Sequence, residues 1–420
     1  MPLRVPPRPW LTRGYGGVAG PGHGAEGEAE AMEAIAAIAG VLLIGLVLWD
    51  AFETIVLPRR VQRRLTLTQV IYRLTWRPWA ALARRLPAGQ QRETYLGFYG
   101  PLSLLLLLAI WSSALVCGFA GLLWWLGIAR AGQAEPSSFA TALYASGTTF
   151  FTLGLGDVTP RTPAARAATV VEVGTGFGFL ALMIGFIPAF HQKFAERELD
   201  VGLLDARAGS PPTALEFFRR NMDGGDVRAV ERFLQEWEVW AARLLESHLS
   251  YPPLAYFRSQ HDNQSWLGAL AMILDVSALA LAGIEGLSRS ARFTFAIGRH
   301  AAADLSQVFN TPPRGEPTDR LPPDQARQLC EGLAAAGVRI LEPERFQKRL
   351  GVLRAQYEPF LVALADYLLM PLPAWIPAAD AHDNWEVTAW GALDRDNLVI
   401  VEPDHAPGHA EAGSGSVTIR

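Results

Sequence analysis

Residues 148–160 read TTFFTLGLGDVTP. Glycines at 154 and 156 alternate with leucines at 153 and 155, and an aspartate and a proline close the stretch. Alternating glycines take backbone angles forbidden to other residues, so successive carbonyls can all turn to one side. Such a strand leaves its acceptors unmet by a ladder, and the flanking segments decide what meets them.

Long apolar runs lie on either side. Residues 96–128 (LGFYGPLSLLLLLAIWSSALVCGFAGLLWWLGI) carry no charge, and residues 168–190 (ATVVEVGTGFGFLALMIGFIPAF) carry one, Glu172. A third run, 34–57, precedes both and is interrupted only by Asp50 and Glu53. Each has about the 20 apolar residues that a bilayer crossing needs. The 34–57 run has no small-residue cleavage site after a short core, which suits an uncleaved anchor. Trp124 and Trp125 fit the aromatic belt at a membrane surface.

Composition agrees. Half of the 420 residues are hydrophobic, the net charge is −4, and the mean hydropathy is +0.15. So small a charge gives no case for a nucleic-acid partner. Cys117 and Cys330 are the only cysteines; far apart and in unlike contexts, they read as packed free thiols. Between 58 and 95 stand nine arginines (59, 60, 63, 64, 73, 77, 84, 85 and 92) against one acid, Glu93. The positive-inside rule puts that segment in the cytoplasm, with 129–165 outside and everything after about 191 inside. Asp50 and Glu53 are expected to meet these arginines. The first span has no arginine at every third position, so steep voltage sensing is not expected.

The domain layout that follows has six parts. Residues 1–31, rich in Pro and Gly, are expected to be disordered, with Met32 as an alternative start. Then come a first transmembrane helix over 32–58, an Arg-rich linker over 59–95 and a pore domain over 96–190. That domain comprises an outer helix (96–128), a pore helix with filter (137–160) and an inner helix (166–190). A helical soluble domain over 191–405 and a disordered tail over 406–420 complete the chain. The fold class expected is an all-α membrane protein with a mainly helical carboxy-terminal domain.

SSFATALYASGTTFF, 137–151, is apolar but too short to span, with Ser137 or Ser138 as its cap. It lies between two spans on one side of the membrane, so it makes a re-entrant half-helix. Irregular backbone at membrane depth is tolerated where it lines a water-filled path. TLGLG is such a backbone, and the half-helix aims its negative carboxyl end at the same place. Inward carbonyls together with helix carboxyl ends make a site for a dehydrated monovalent cation.

TLGLGD followed by VTP resembles the selectivity filter of potassium channels of the two-helix pore type, in a variant where leucine replaces the usual aromatic. The resemblance covers roughly residues 100–190. It implies that Thr152 supplies a hydroxyl and a carbonyl at the inner mouth, that Leu153, Gly154, Leu155 and Gly156 present carbonyls, and that Asp157 closes the outer end and braces the filter from behind. Potassium would sit at Thr152, Leu153, Gly154 and Leu155. Thr148 and Thr149 end the pore helix and support the filter. Leu155 packs but cannot hydrogen-bond, so weaker discrimination against sodium is expected.

A closed filter in that family needs four such loops and this chain has one, so the resemblance implies a homotetramer around a fourfold axis, with passive conduction of potassium as permeant ion, no cofactor and no catalysis. The site implied is the inner cell membrane, crossed several times. Gly176 lies where the family's inner-helix glycine is expected, as a gating hinge or as a close-packing residue. Glu172 is expected to brace the pore helix or the surroundings of Asp157. Leu180 and Ile184 would line a cavity below the filter, and Pro188 would add a kink.

The carboxy-terminal part offers little chemistry. There is no Gly-x-Gly-x-x-Gly after a strand. The His-Asp pairs in 259–266 and 380–386 read as caps or surface residues. SWLGALAMILDVSALALAGIEG, 265–286, is apolar enough for a fourth span but carries Asp275 at its centre, so it reads as a buried helix. An unknown regulatory ligand in this domain is the partner expected besides potassium, the bilayer and further copies. Two other readings stay open: a membrane-anchored signalling or enzymatic protein whose pore-like segment does not conduct, and a weakly selective monovalent cation channel.

Overall fold

The computed structural model describes residues 23–57, 66–130, 138–222, 226–260, 263–313, 319–378, 387–388 and 391–392. Helices dominate. The first, α1, spans His23–Ala51 and ends in a π-turn, Phe52–Val56. It therefore begins nine residues before Met32, inside the segment expected to be disordered. Alanines and glutamates fill that extra stretch, and both are strong helix formers.

The Arg-rich segment is more than a linker. It holds helix α2, Leu67–Ala83, capped by the Thr66 side chain, which accepts from the Gln69 amide. Ile71, Tyr72, Trp76, Ala80 and Ala83 form its buried stripe at three- and four-residue spacing. The Trp76 indole N–H donates to the Tyr367 carbonyl at 2.9 Å, and an Arg84 guanidinium N–H donates to the Asp366 carbonyl. Helix α2 thus joins the membrane helices to the carboxy-terminal part.

Helix α3, Gln90–Leu126, starts six residues before the expected outer helix. Its 37 residues make about 55 Å, well beyond the ~30 Å hydrocarbon core. Helix α1 packs closely along it. A Cβ on Gly121 would lie 2.6 Å from the Ala36 carbonyl oxygen, and one on Gly40 would overlap the Gly118 carbonyl. Small residues let these backbones touch.

Asp50, expected to meet arginine, instead fastens three elements. Its carboxylate accepts from the Thr68 hydroxyl at 2.7 Å and the Thr68 amide at 3.2 Å, and from the Trp111 indole at 3.0 Å. A buried carboxylate needs several donors, and the first turn of α2 supplies two. Arg59, Arg60, Arg63 and Arg64 lie outside the described residues. Cys117 is exposed on α3 rather than packed, and Cys330 is half-buried.

After α3 a short strand, β1 (Ile128–Arg130), pairs antiparallel with β2 (Val158–Pro160), so that Ala129 faces Thr159. The half-helix α4, Phe139–Phe150, lies between them in sequence. Helix α5 follows, Pro163–Ala208, with Thr162 as cap and Pro163 in its first turn. Its 46 residues span about 70 Å. The inner helix expected over 166–190 is only its first half. The boundary expected near 191 falls inside an unbroken helix, and Pro188 is accommodated within it.

The remaining helices are α6 (Ala214–Asn221), α7 (Arg228–Ser250), α8 (Trp266–Gly283), α9 (Ser288–Val308), α10 (Pro323–Ala335), α11 (Pro343–Arg354) and α12 (Glu358–Leu368). The run from Pro343 to Leu369 splits in two because Pro359, in the first turn of α12, has no N–H to continue α11. Helix α8 is buried along all but one of its residues, enclosed by α5, α6, α7, α9, α11 and α12. Among the described residues four helices are apolar and long enough to cross a membrane, and α8 is the one of them wrapped in protein.

At the middle of α8, Asp275 takes a bond from Arg320 at 2.7 Å and one from the Tyr357 hydroxyl at 2.7 Å. Arg320 also donates to Glu358 and to the Pro373 carbonyl. A two-residue hairpin pairs Val387–Thr388 with Gly391–Ala392. Residues 406–420, 380–386 and the pair His261–Asp262 lie outside the described residues, so both His-Asp pairs do too.

Candidate ion-conduction site

Helix α4 positions the glycine-spaced strand. The Ser138 hydroxyl accepts from the Thr141 amide and starts the helix. Its 12 residues reach about 18 Å, roughly half of a bilayer core. Ala142, Ala145, Ser146 and Phe150 form its buried side. The Trp124 ring of α3 meets Phe139 edge-on at 5.5 Å, steadying its beginning.

At its end the chain doubles back. The Phe151 amide donates to Gly147, and the Thr152 amide to Thr149 at 3.0 Å. The Thr148 carbonyl then accepts two amides, Leu153 at 2.7 Å and Gly154 at 3.2 Å. The Thr148 hydroxyl donates to the Ala145 carbonyl at 2.9 Å. Thr148 and Thr149 therefore stand in the last turn of the helix, and both hold the strand by backbone carbonyls.

The dihedrals of the strand decide its chemistry. Thr152, Gly154 and Gly156 have φ of +58°, +55° and +77°. Leu153 and Leu155, between them, are not left-handed. Alternating the hand residue by residue turns each peptide the same way round, where a β-strand would flip it. The N–H groups of 153 and 154 face the helix end, so the carbonyls of 152 and 153, trans to them across the same peptides, point away from it. Thr152 is not glycine, and its left-handed backbone costs about 1–2 kcal/mol. Strain of that kind collects where function needs a geometry.

The strand is open to its surroundings in one chain. Leu153 and Leu155 are 65% and 63% exposed. Asp157 is exposed and forms no side-chain hydrogen bond among the described residues. The brace expected of it is not made within a single copy. Beyond the strand, β2 ties the outer end to β1, the Arg161 amide donates to the Gly127 carbonyl, and the Thr162 hydroxyl donates to the Leu126 carbonyl at 2.8 Å.

Behind α4 three helices meet at one hydroxyl. The Ser146 side chain contacts both the Val116 carbonyl of α3, at 2.8 Å, and the carboxyl of Glu172 on α5. Glu172 is fully buried, and its second oxygen has no hydrogen-bond partner among the described residues. Of the two places expected for it, it lies against the pore helix and not at Asp157. One turn along, Gly176 has a packing reason to be glycine: a Cβ there would overlap the Phe150 carbonyl at the end of α4. Gly174, Gly178 and Gly185 have no such neighbour within 4 Å. Leu180 and Ile184 are exposed along the same helix.

Ser146 and Val116 escaped the reading of the sequence, since a serine in a small-residue helix carries no signal of its own. Among the described residues no group of three or more His, Cys, Asp or Glu is placed to hold a metal ion.

Residues 105–193, from within α3 to the middle of α5, match a family described as "Ion channel". The match frames α4 and the strand and supports an ion channel. The chain is also similar to an uncharacterized membrane protein of Bacillus subtilis (strain 168), YdjJ. The two are 23% identical over 265 residues, which is 60% of this chain and 72% of that protein. No solved structure matches. Apolar helices and relative together mark a membrane protein.

Proposed function

We propose that this protein is a potassium-selective channel: four copies surround an axis, and the carbonyls of 152–156 replace the water around a potassium ion. The observation that carries the reading is the left-handed backbone at Thr152, Gly154 and Gly156, with the Leu153 and Gly154 amides bonded back to the Thr148 carbonyl. Carbonyl rows of this sort suit a dehydrated monovalent cation. The end of α4 adds its negative dipole behind them.

The exposure of Leu153 and Leu155 in a lone subunit supports further copies, since apolar side chains at a strained strand need a packed surround. Fourfold closure gives every copy the same neighbours. The arginines between α1 and α3 favour a cytoplasmic side for α2 and for everything after the membrane half of α5. Ions pass down their gradient, and the carboxy-terminal helices are the candidate sensor of a regulatory ligand.

Potassium efflux from liposomes holding the purified full-length protein tests this. Wild type is expected to pass potassium, and Gly154→Asp to pass none while assembling equally well, because a side chain at φ +55° is strained and a carboxylate would intrude on the ion's path. Absence of flux from folded wild type, or equal flux from the variant, would refute the reading.

A further inference from the structure

Residues 251–257, YPPLAYF, follow α7 and fold around a single 3-10 turn, Pro252–Tyr256. The turn belongs to the carboxy-terminal part by sequence but is lodged among the membrane helices. The Phe257 ring fills the place where Gly100 of α3 has no side chain: a Cβ there would come within 2.7 Å of it. Its other face meets Phe190 of α5 at 4.9 Å. Leu254, fully buried, packs with Leu104 of α3 and with Phe186 and Phe190 of α5. Next to it Tyr256 stacks on Tyr72 of α2 at 5.3 Å. One short turn therefore touches α2, α3 and α5.

Helix α5 returns the contact through Arg197. This guanidinium is buried, and it donates to the Leu254 carbonyl and the Phe257 carbonyl, each at 2.9 Å. It also pairs with Glu198 at 2.9 Å. Stripping a guanidinium of water costs several kcal/mol and is tolerated only where its donors are met. A rigid planar fork on two carbonyls is directional, so it fixes the angle of α5 to the turn as well as the distance.

We infer that this turn regulates the proposed pore: it sets the place of the inner helix against the outer one, and Arg197 is the positioning residue through which the carboxy-terminal helices act. The inference rests on the pore reading for its consequence but not for its geometry. Because α5 is continuous from the strand's far side to Arg197, a shift at the turn is carried along the helix to Leu180 and Ile184. Because Phe257 is a spacer between α3 and α5, those helices cannot change their separation unless the turn moves with them. A cavity of about 610 Å³ beside the turn, lined by Pro101, Leu105, Ile187 and Phe194 among others, leaves room for that movement. Two packed arrangements of one joint are how such couplings are built.

Two readouts on the full-length protein test the joint, one of which needs no current. In amide hydrogen exchange, Arg197→Met is expected to lose protection together in 251–257 and in 190–200, with 266–283 still protected. In planar bilayers, Arg197→Met and Phe257→Ala are each expected to change open probability by about fivefold or more, with the reversal potential unmoved. Phe257→Ala removes no buried charge, so it decides the matter if Arg197→Met fails to assemble. Loosening of the turn without loosening of α5, or unchanged open probability in the assembled variants, would overturn the inference. Were wild type to carry no current, the pore reading would fall while the exchange result still judged the joint.

Discussion

Gly176 separates two reasons for a glycine in an inner helix. A bend needs freedom of φ and ψ; a close contact needs room. Its Cβ direction is occupied by a backbone carbonyl, which cannot rotate aside as a side chain would. Gly176→Ala is expected to lower the thermal stability of the assembled protein by about 1–3 kcal/mol, the usual cost of overpacking. Gly174→Ala, with nothing within 4 Å in its own chain, is expected to be near neutral. Equal stability of the two variants, with altered gating in Gly176→Ala alone, would favour the hinge over the close contact. Thr152 is strained in a different sense. Its left-handed backbone persists only because the Thr148 and Thr149 carbonyls hold the peptides around it. The strand therefore depends on α4 for its shape as much as on its own glycines.

At the scale of elements, the joint between α5 and α7 carries a titratable group. His248 of α7 is fully buried, its Nδ1–H bonded to the Leu244 carbonyl at 2.8 Å and its Nε2 turned to Arg197 at 3.4 Å; the proton is assigned from those partners. Burial first, and the Arg197 charge second, push its pKa from 6.5 down to about 3. Between those values the unfolded chain binds a proton that the folded one does not. The contribution of His248 is thus complete above pH 6.5 and is lost as pH falls. On lowering the pH from 7.5 to 5, the wild type is expected to lose stability relative to His248→Gln by about 1.4 kcal/mol per unit below 6.5. Apparent melting in detergent at several pH values checks this, and parallel curves for the two proteins would contradict it.

Elements also mark where the sequence could be read and where it could not. The strand and the spans announce themselves locally, by glycine spacing and by the lack of charge, and local signals survive in a bare sequence. The length of α5 did not, because Lys193, Glu196, Arg197 and Glu198 look like the start of a soluble domain. They instead cover the same helix after it leaves the apolar region. Helix α8 shares its composition with a membrane span; Asp275 gave the hint, and its partner Arg320, 45 residues away, supplies the reason. Arg197 and the 254 and 257 carbonyls are likewise distant in the chain, and no periodicity couples them. The two prolines of YPPLAYF mark a turn but not the helices it would reach.

For the whole molecule, the single chain leaves an apolar surface uncovered on α5, including Val170, Phe177 and Ile184, which the proposed assembly would share between lipid and neighbouring copies. In the proposed tetramer one chain supplies a quarter of the coordination shell, so selectivity would be a property of the assembly, and Leu155, lacking a hydroxyl to tie the strand to its surround, is where sodium would gain. The most direct measurement is the reversal potential of the full-length protein in a planar bilayer, with potassium on one side and sodium on the other. The expected result is a reversal far from zero and toward the potassium equilibrium potential, short of it by the sodium that Leu155 admits. A reversal at zero, or one that follows sodium, would contradict a carbonyl site built for potassium.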